Sequence, residues 1–313
     1  MAQLIKLQDY ISRYETDIYR YPGQFIRLKK ENWGKLLDRW EQEYAAGTME
    51  LQQEKIEESN YTRKRFSIRE LFKGKKEENT FTPFPAQHQD SYLPPKDKET
   101  LKYDFLDHIF KFQLKWASST IREYSTVDDK FRTDASLRYF LQRFPDTFLV
   151  MYKPVFQLQK ASVEADIILI TPVQVICLTV INENEKVTLL PEDGRTWFKE
   201  LEGVQTRMLS PMIGLKRTEN IVKSILNKYS VDIPISKVIL SRNNKIKFQS
   251  EPYKTEYIGR EQYQEWFEQL RSFTSPLKHI QLKTAEALLK DCHSVFTQRP
   301  EWFYEDDPTV FDF

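Results

Sequence analysis

Residues 167 to 181 read IILITPVQVICLTVI, and no other stretch so narrows what this chain can fold into. The run is dense in β-branched residues and broken in its middle by Thr171-Pro172-Val173-Gln174. It is shorter than the about 20 apolar residues that a membrane-crossing helix needs. Two short apolar runs around a compact polar turn predict a pair of buried strands. The expectation is an antiparallel hairpin of residues 166–171 and 174–182 at the centre of a sheet.

The rest of the chain can enclose such a sheet. Of its 313 residues 40% are apolar, with 6 Trp, 16 Tyr and 21 Phe, which supports a sizeable core rather than wholesale disorder. Eight glycines are few for a phosphate-binding loop, and neither GxGxxG nor GxxxxGK[ST] occurs. The net charge of +1 means that any nucleic-acid binding must come from a local patch. Cys177 and Cys292 are too few for a disulfide framework. The charged, interrupted N-terminal stretch reads as neither a signal peptide nor a membrane span. The expected compartment is the cytoplasm.

Helical spacing of Leu4, Leu7, Tyr10, Ile11 and Tyr14 predicts a first helix. Trp33, Leu36, Leu37 and Trp40 predict a second, with Pro22-Gly23 dividing the two. Together with a basic segment and a proline-rich linker, these form an expected helical N-terminal region, residues 1–97. An α/β domain is expected over residues 98–300, with its core at 134–269. It begins with a helix at 101–124 carrying Phe105, Ile109, Phe112 and Trp116, followed by a helix from Asp134 to the Phe144-Pro145 stop. Strand-like segments follow at 147–158 and around Trp197. Ser210-Pro211 predicts a hydroxyl-capped helix with Ile221, Val222, Ile225, Leu226 and Tyr229 on its buried side. Strands at ISKVILSR and KTEYIG and two closing helices complete a mixed central sheet flanked by helices, an α/β (α+β) class.

Phosphodiester hydrolysis with metal help needs carboxylates converging on one point, and a nearby lysine to orient water. Residues two apart on a strand project from one face. Asp166 opens the first strand of the hairpin, TPVQ is its turn, and Thr179 lies thirteen residues on (179 − 166). On these positions, with Asp134, Trp197 and Ser210-Pro211, the stretch from about Asp134 to Gln269 resembles the nuclease-related domain (NERD) family. That family is a branch of the restriction-endonuclease-like PD-(D/E)XK superfamily. The resemblance implies a restriction-endonuclease-like sheet with a catalytic glutamate at position 179 and a lysine at 181. This chain has Thr179 and Ile181 there, Gln174 in place of the turn glycine and Gly214 in place of a later glutamine. It therefore implies a degenerate member without the family's hydrolysis.

Three functions are weighed on this basis. The first is a catalytically inactive module that binds nucleic acid or a protein partner and takes no cofactor or metal. The second is an active nuclease with a relocated site, in which Asp134, Asp166 and Glu183 hold Mg and Lys186 supplies the cation. The third is a purely structural interaction protein. Arg63, Lys64, Arg65 and Arg69 are the candidate nucleic-acid contacts, although flanking acids favour a solvated connector. The four histidines are scattered and show no zinc spacing. Residues 301–313 mix five acids with five aromatics, and resemble the acidic tail tip of bacterial single-stranded-DNA-binding proteins. They are expected either to dock on their own domain or to recruit a basic protein partner.

Overall fold

The structure, a computed structural model, describes residues 1–53, 97–158 and 161–299, with backbone alone over 43–53. The chain opens with β1 (Gln3–Leu7), α1 (Tyr21–Gln53), α2 (Lys98–Trp116), β2 (Glu123–Tyr124), α3 (Lys130–Thr133) and α4 (Ala135–Arg143). A run of strands follows: β3 (Leu149–Tyr152), β4 (Val155–Gln157), β5 (Ser162–Glu164), β6 (Ile167–Ile170), β7 (Val175–Val180), β8 (Thr188–Leu190), β9 (Thr196–Leu201) and β10 (Val204–Leu209). Then come α5 (Met212–Lys228), β11 (Ile235–Leu240), β12 (Lys245–Ile246), β13 (Thr255–Ile258), α6 (Tyr263–Arg271), α7 (His279–Lys290) and β14 (Thr297–Gln298).

The chain divides into two compact units. The smaller, Arg27–Phe112, holds most of α1 and α2, with Trp33 packed on Phe105 at 5.1 Å between ring centroids. The larger contains Met1–Ile26 and the described residues from Gln113 onward. Its centre is a mixed six-stranded sheet in the order β1-β3-β6-β7-β11-β13. β6 and β7 pair antiparallel, Ile167 opposite Leu178 and Ile170 opposite Val175, as the two apolar runs predict. Every residue of β6 is buried, and so are the first four of β7. β7, β11 and β13 then run parallel to one another. Helix α5 packs over β7 and β11, α7 packs on β6, and α4 packs on β3. Ile221, Val222, Ile225 and Leu226 are the buried stripe of α5. A smaller sheet runs β10-β9-β8-β12. No described helix is long and apolar enough to cross a membrane.

Several local expectations are corrected. Residues 3–7 form a strand rather than the start of a helix, because every one of them is buried and β1 docks parallel on β3. A run buried on both faces carries no alternation to separate strand from helix. Gln113 completes this edge, its side chain accepting from Leu4 N–H and donating to the Ala2 carbonyl. Lys6 is buried too, and donates to Glu15, Ser294 and the Tyr10 carbonyl. Pro22 and Gly23 lie in the first turn of α1, where a missing proline N–H costs nothing.

Helix α2 stops at Trp116, short of residue 124, although Phe105, Ile109, Phe112 and Trp116 are all buried as expected. Ser118 and Ser119 both turn their hydroxyls back onto the Lys115 carbonyl, a local alternative to continuing the helix. Residues 147–158 give two strands, broken at Lys153-Pro154, where Lys153 takes a φ of 49°. Ser210 does not cap α5 with its hydroxyl, which is buried without a hydrogen-bond partner; its carbonyl accepts from Ile213 N–H instead.

Candidate functional site

The β6–β7 hairpin carries Asp166 at its entrance and Thr179 near its exit. Thr179 donates its hydroxyl to Asp166 Oδ2 over 2.9 Å. The Asp166 N–H donates to Thr218 Oγ1 on α5, also over 2.9 Å, which fixes the backbone of this residue against the helix. The carboxylate lies so close to the first turn of α5 that a Cβ at Gly214 would come within 3.0 Å of Asp166 Oδ2. Glycine at 214 leaves room for the carboxylate where it is, and a side chain there would require Asp166 to shift by a few tenths of an ångström. Burial pushes the Asp166 carboxyl above its ordinary range, against the opposing pull of the Thr179 hydroxyl, Arg217 and Lys153. Ile181 is buried and apolar.

The groups needed for a relocated metal centre are engaged elsewhere. Asp134 caps α4, accepting from the N–H groups of Ser136 and Leu137, and takes the Tyr152 hydroxyl on Oδ2. β7 ends at Val180, so Glu183 and Glu185 do not continue its alternation. Asn244 organises the turn that follows: it accepts from Glu183 N–H and donates to the carbonyls of Asn184 and Val187. Glu183 pairs with Lys199 at 2.8 Å, and Lys186 lies 3.9 Å from Glu202. Among the described residues no three His, Cys, Asp or Glu side chains are gathered as a metal site. Arg63, Lys64, Arg65 and Arg69, and the tail 301–313, lie outside the described residues.

A different constellation sits past the C-terminal ends of the parallel strands. Arg242 follows β11, and its Cζ lies 4.2 Å from the centre of the Tyr139 ring on α4. The Tyr139 hydroxyl meets that of Tyr263, at the start of α6, over 2.7 Å. Tyr263 stacks on Phe267 with 5.5 Å between centroids and 14° between planes, and the Arg271 guanidinium caps Phe267 at 5.3 Å. Arg143, at the end of α4, also acts on Tyr139. Burial raises the Tyr139 hydroxyl, the Tyr263 hydrogen bond adds to this, and Arg242 and Arg143 pull the other way. At about 100° per helical residue, Tyr263, Phe267 and Arg271 share one stripe of α6 and Glu265 faces away. Among the described residues Arg143, Arg242 and Arg271 enter no ion pair. The segment just past β7 reaches the same neighbourhood, since the Asn182 amide donates to Ser136 Oγ on α4 at 3.4 Å.

Sequence reasoning located Asp166 and Thr179 by their spacing but missed this arginine–tyrosine face. Its members come from three separate segments, 139–143, 242 and 263–271, and meet only because α4 and α6 flank the ends of β11 and β13. The available signal was the arginine directly behind the apolar run VILS.

No protein-family model matches the chain, and no solved structure does. An RNA 2′,3′-cyclic phosphodiesterase from Geobacillus stearothermophilus is 60% identical to it over 43 residues, 14% of this chain and 14% of that protein.

Proposed function

We propose that this chain is a degenerate nuclease-related α/β module that binds single-stranded nucleic acid without cutting it. The observation that carries this reading is Arg242 lying 4.2 Å over Tyr139, with Arg143 and Arg271 nearby, none of the three in an ion pair among the described residues. Guanidinium groups without carboxylate partners are suited to phosphate oxygens, which they bind in a planar, two-pronged geometry. Tyr139 itself is buried beneath Arg242, and the half-buried rings of Tyr263 and Phe267 beside it offer the stacking surface, each base so held contributing about 1–3 kcal/mol. Ligands of open α/β sheets settle outside the carboxyl ends of the strands, which is where this face lies.

Silence of the hydrolytic centre is supported by the Thr179–Asp166 hydrogen bond and by Ile181. A neutral hydroxyl and an apolar side chain supply neither the second carboxylate nor the cation that metal-assisted hydrolysis needs. The name of the short relative concerns RNA, and agrees with a nucleic-acid ligand. A shared 43 residues carries no activity across.

The test is fluorescence-anisotropy titration of a labelled single-stranded RNA and DNA with the full chain and with the Arg143→Ala/Arg242→Ala/Arg271→Ala variant. Binding that weakens steeply with salt and drops at least tenfold in the variant supports the reading. Equal binding by the two proteins refutes it.

A further inference from the structure

We propose that strand β10 pairs with β10 of a second copy of this chain, joining two four-stranded sheets into one continuous sheet. β10 is the outer strand of its sheet, with β9 as its sole partner strand among the described residues. It is six residues long, and five of the six are exposed, so among the described residues nothing covers either face. Val204 and Leu209 are 65% and 71% exposed. A long, uncovered edge bearing exposed apolar residues is a template for another strand.

The hairpin fixes which backbone groups face outward. Glu202 and Gly203 form its two-residue turn with φ of 51° and 81°, both in the left-handed region that a tight hairpin turn of this kind requires. Leu201 and Val204 close it as a hydrogen-bonded pair. Val204, Thr206 and Met208 therefore bond inward to β9, and the parity persists to Ser210, whose N–H donates to the Arg195 carbonyl at 2.9 Å. Gln205, Arg207 and Leu209 turn their N–H and C=O groups outward.

An antiparallel two-fold pair must match outward groups with outward groups, so the symmetry axis passes through a residue and not between two. An axis through Arg207 sets like charges against each other. An axis through Thr206 sets Thr206 against Thr206 of the second copy, Val204 against Met208, and Gln205 against Arg207. On one face this buries Val204 and Met208 with the neighbouring Leu201, which is 40% exposed. On the other it brings Arg207 of the second copy to Gln205, whose amide already donates to Glu200, so a cation arrives beside a carboxylate. Each of the two Gln205–Arg207 pairs exchanges two backbone hydrogen bonds. No like charges oppose each other in this register.

A strand pair of this length falls short of the about 1,200–2,000 Å² of a standard stable interface, so a micromolar dimer is expected. Sedimentation of the full chain from about 1 to about 100 µM should show a shift from monomer to dimer. Arg207→Pro deletes an outward N–H and no internal bond, so it should stay monomeric at the same concentrations with unchanged melting. Thr206→Cys should cross-link under mild oxidation, because directly opposed Cβ atoms lie about 4.5–5.5 Å apart. Gln205→Cys, facing Arg207, should not. A wild-type monomer throughout the range overturns the proposal. So does a dimer that Arg207→Pro leaves intact, or equal cross-linking at positions 205 and 206.

Discussion

Thr179 and Asp166 share one hydrogen bond of 2.9 Å across the central strand pair, the hydroxyl donating to Oδ2. The contact joins the carboxylate at the hairpin entrance to a neutral side chain that cannot bring a second charge. The carboxylate is more than half withdrawn from water, no cation among the described residues hydrogen-bonds to it, and its pKa is raised chiefly by that burial. An ionised acid in that place costs stability instead of adding it.

The pH consequence has a definite sign. With the folded-state pKa above the unfolded one, the native protein holds this proton more tightly. Its contribution is most favourable below the ordinary carboxylate pKa and is lost as pH rises through the raised folded value. Asp166→Asn keeps the shape and the acceptor for Thr179. Urea unfolding at a series of pH values should find it at least as stable as the parent at neutral pH, with this pH dependence gone. A clear loss of stability at neutral pH would show that the charge is used.

Glu219 on α5 and Lys237 on β11 form an ion pair of 2.7 Å, their side chains 11% and 7% exposed. Burial pushes the Glu219 carboxyl up, but hydrogen bonds from Lys237 and Lys223 outweigh it and leave the pKa lowered. The pair's contribution is therefore present above the unfolded carboxylate pKa and lost as pH falls through the folded one. Removing Lys237 alone should destabilise by about 3 kcal/mol, because the carboxylate loses its buried partner and keeps only the exposed Lys223 at 3.2 Å. Glu219→Leu with Lys237→Met should cost far less, as read by denaturant midpoints. Similar losses in both would mean that packing, and not charge, dominates here.

Arg242→Ala should weaken single-stranded nucleic-acid binding severalfold and lower the salt slope by about one counterion. Arg242→Lys keeps the charge but loses the planar contact with Tyr139, so it should fall between parent and alanine. The check is an affinity series over salt concentration. An unchanged slope for Arg242→Ala would remove this residue from the interface.

Much of this fold was legible because its central hairpin is written as two apolar runs around a polar turn, and local pattern alone places it. The stripe on α5 and the Asp134 cap were readable for the same reason, both being set within a few residues. β1 was not. Leu4, Leu7 and Ile11 match a helical period, and only docking beside Leu149–Tyr152 makes residues 3–7 a strand. The Asp166–Thr179 spacing was visible, but their closure into a neutral hydrogen bond, with Gly214 against the carboxylate, depends on where α5 lies. The face of Arg143, Arg242 and Arg271 has no sequence neighbourhood at all, since three separate connections of the sheet assemble it.

The most direct test combines binding and cleavage in one sample. A labelled single-stranded oligonucleotide is incubated with the full chain and Mg or Mn, read first by anisotropy and then on a denaturing gel. The account predicts an oligonucleotide that is bound and intact. Metal-dependent cleavage that Asp166→Ala abolishes would contradict it, and so would the absence of binding at low salt.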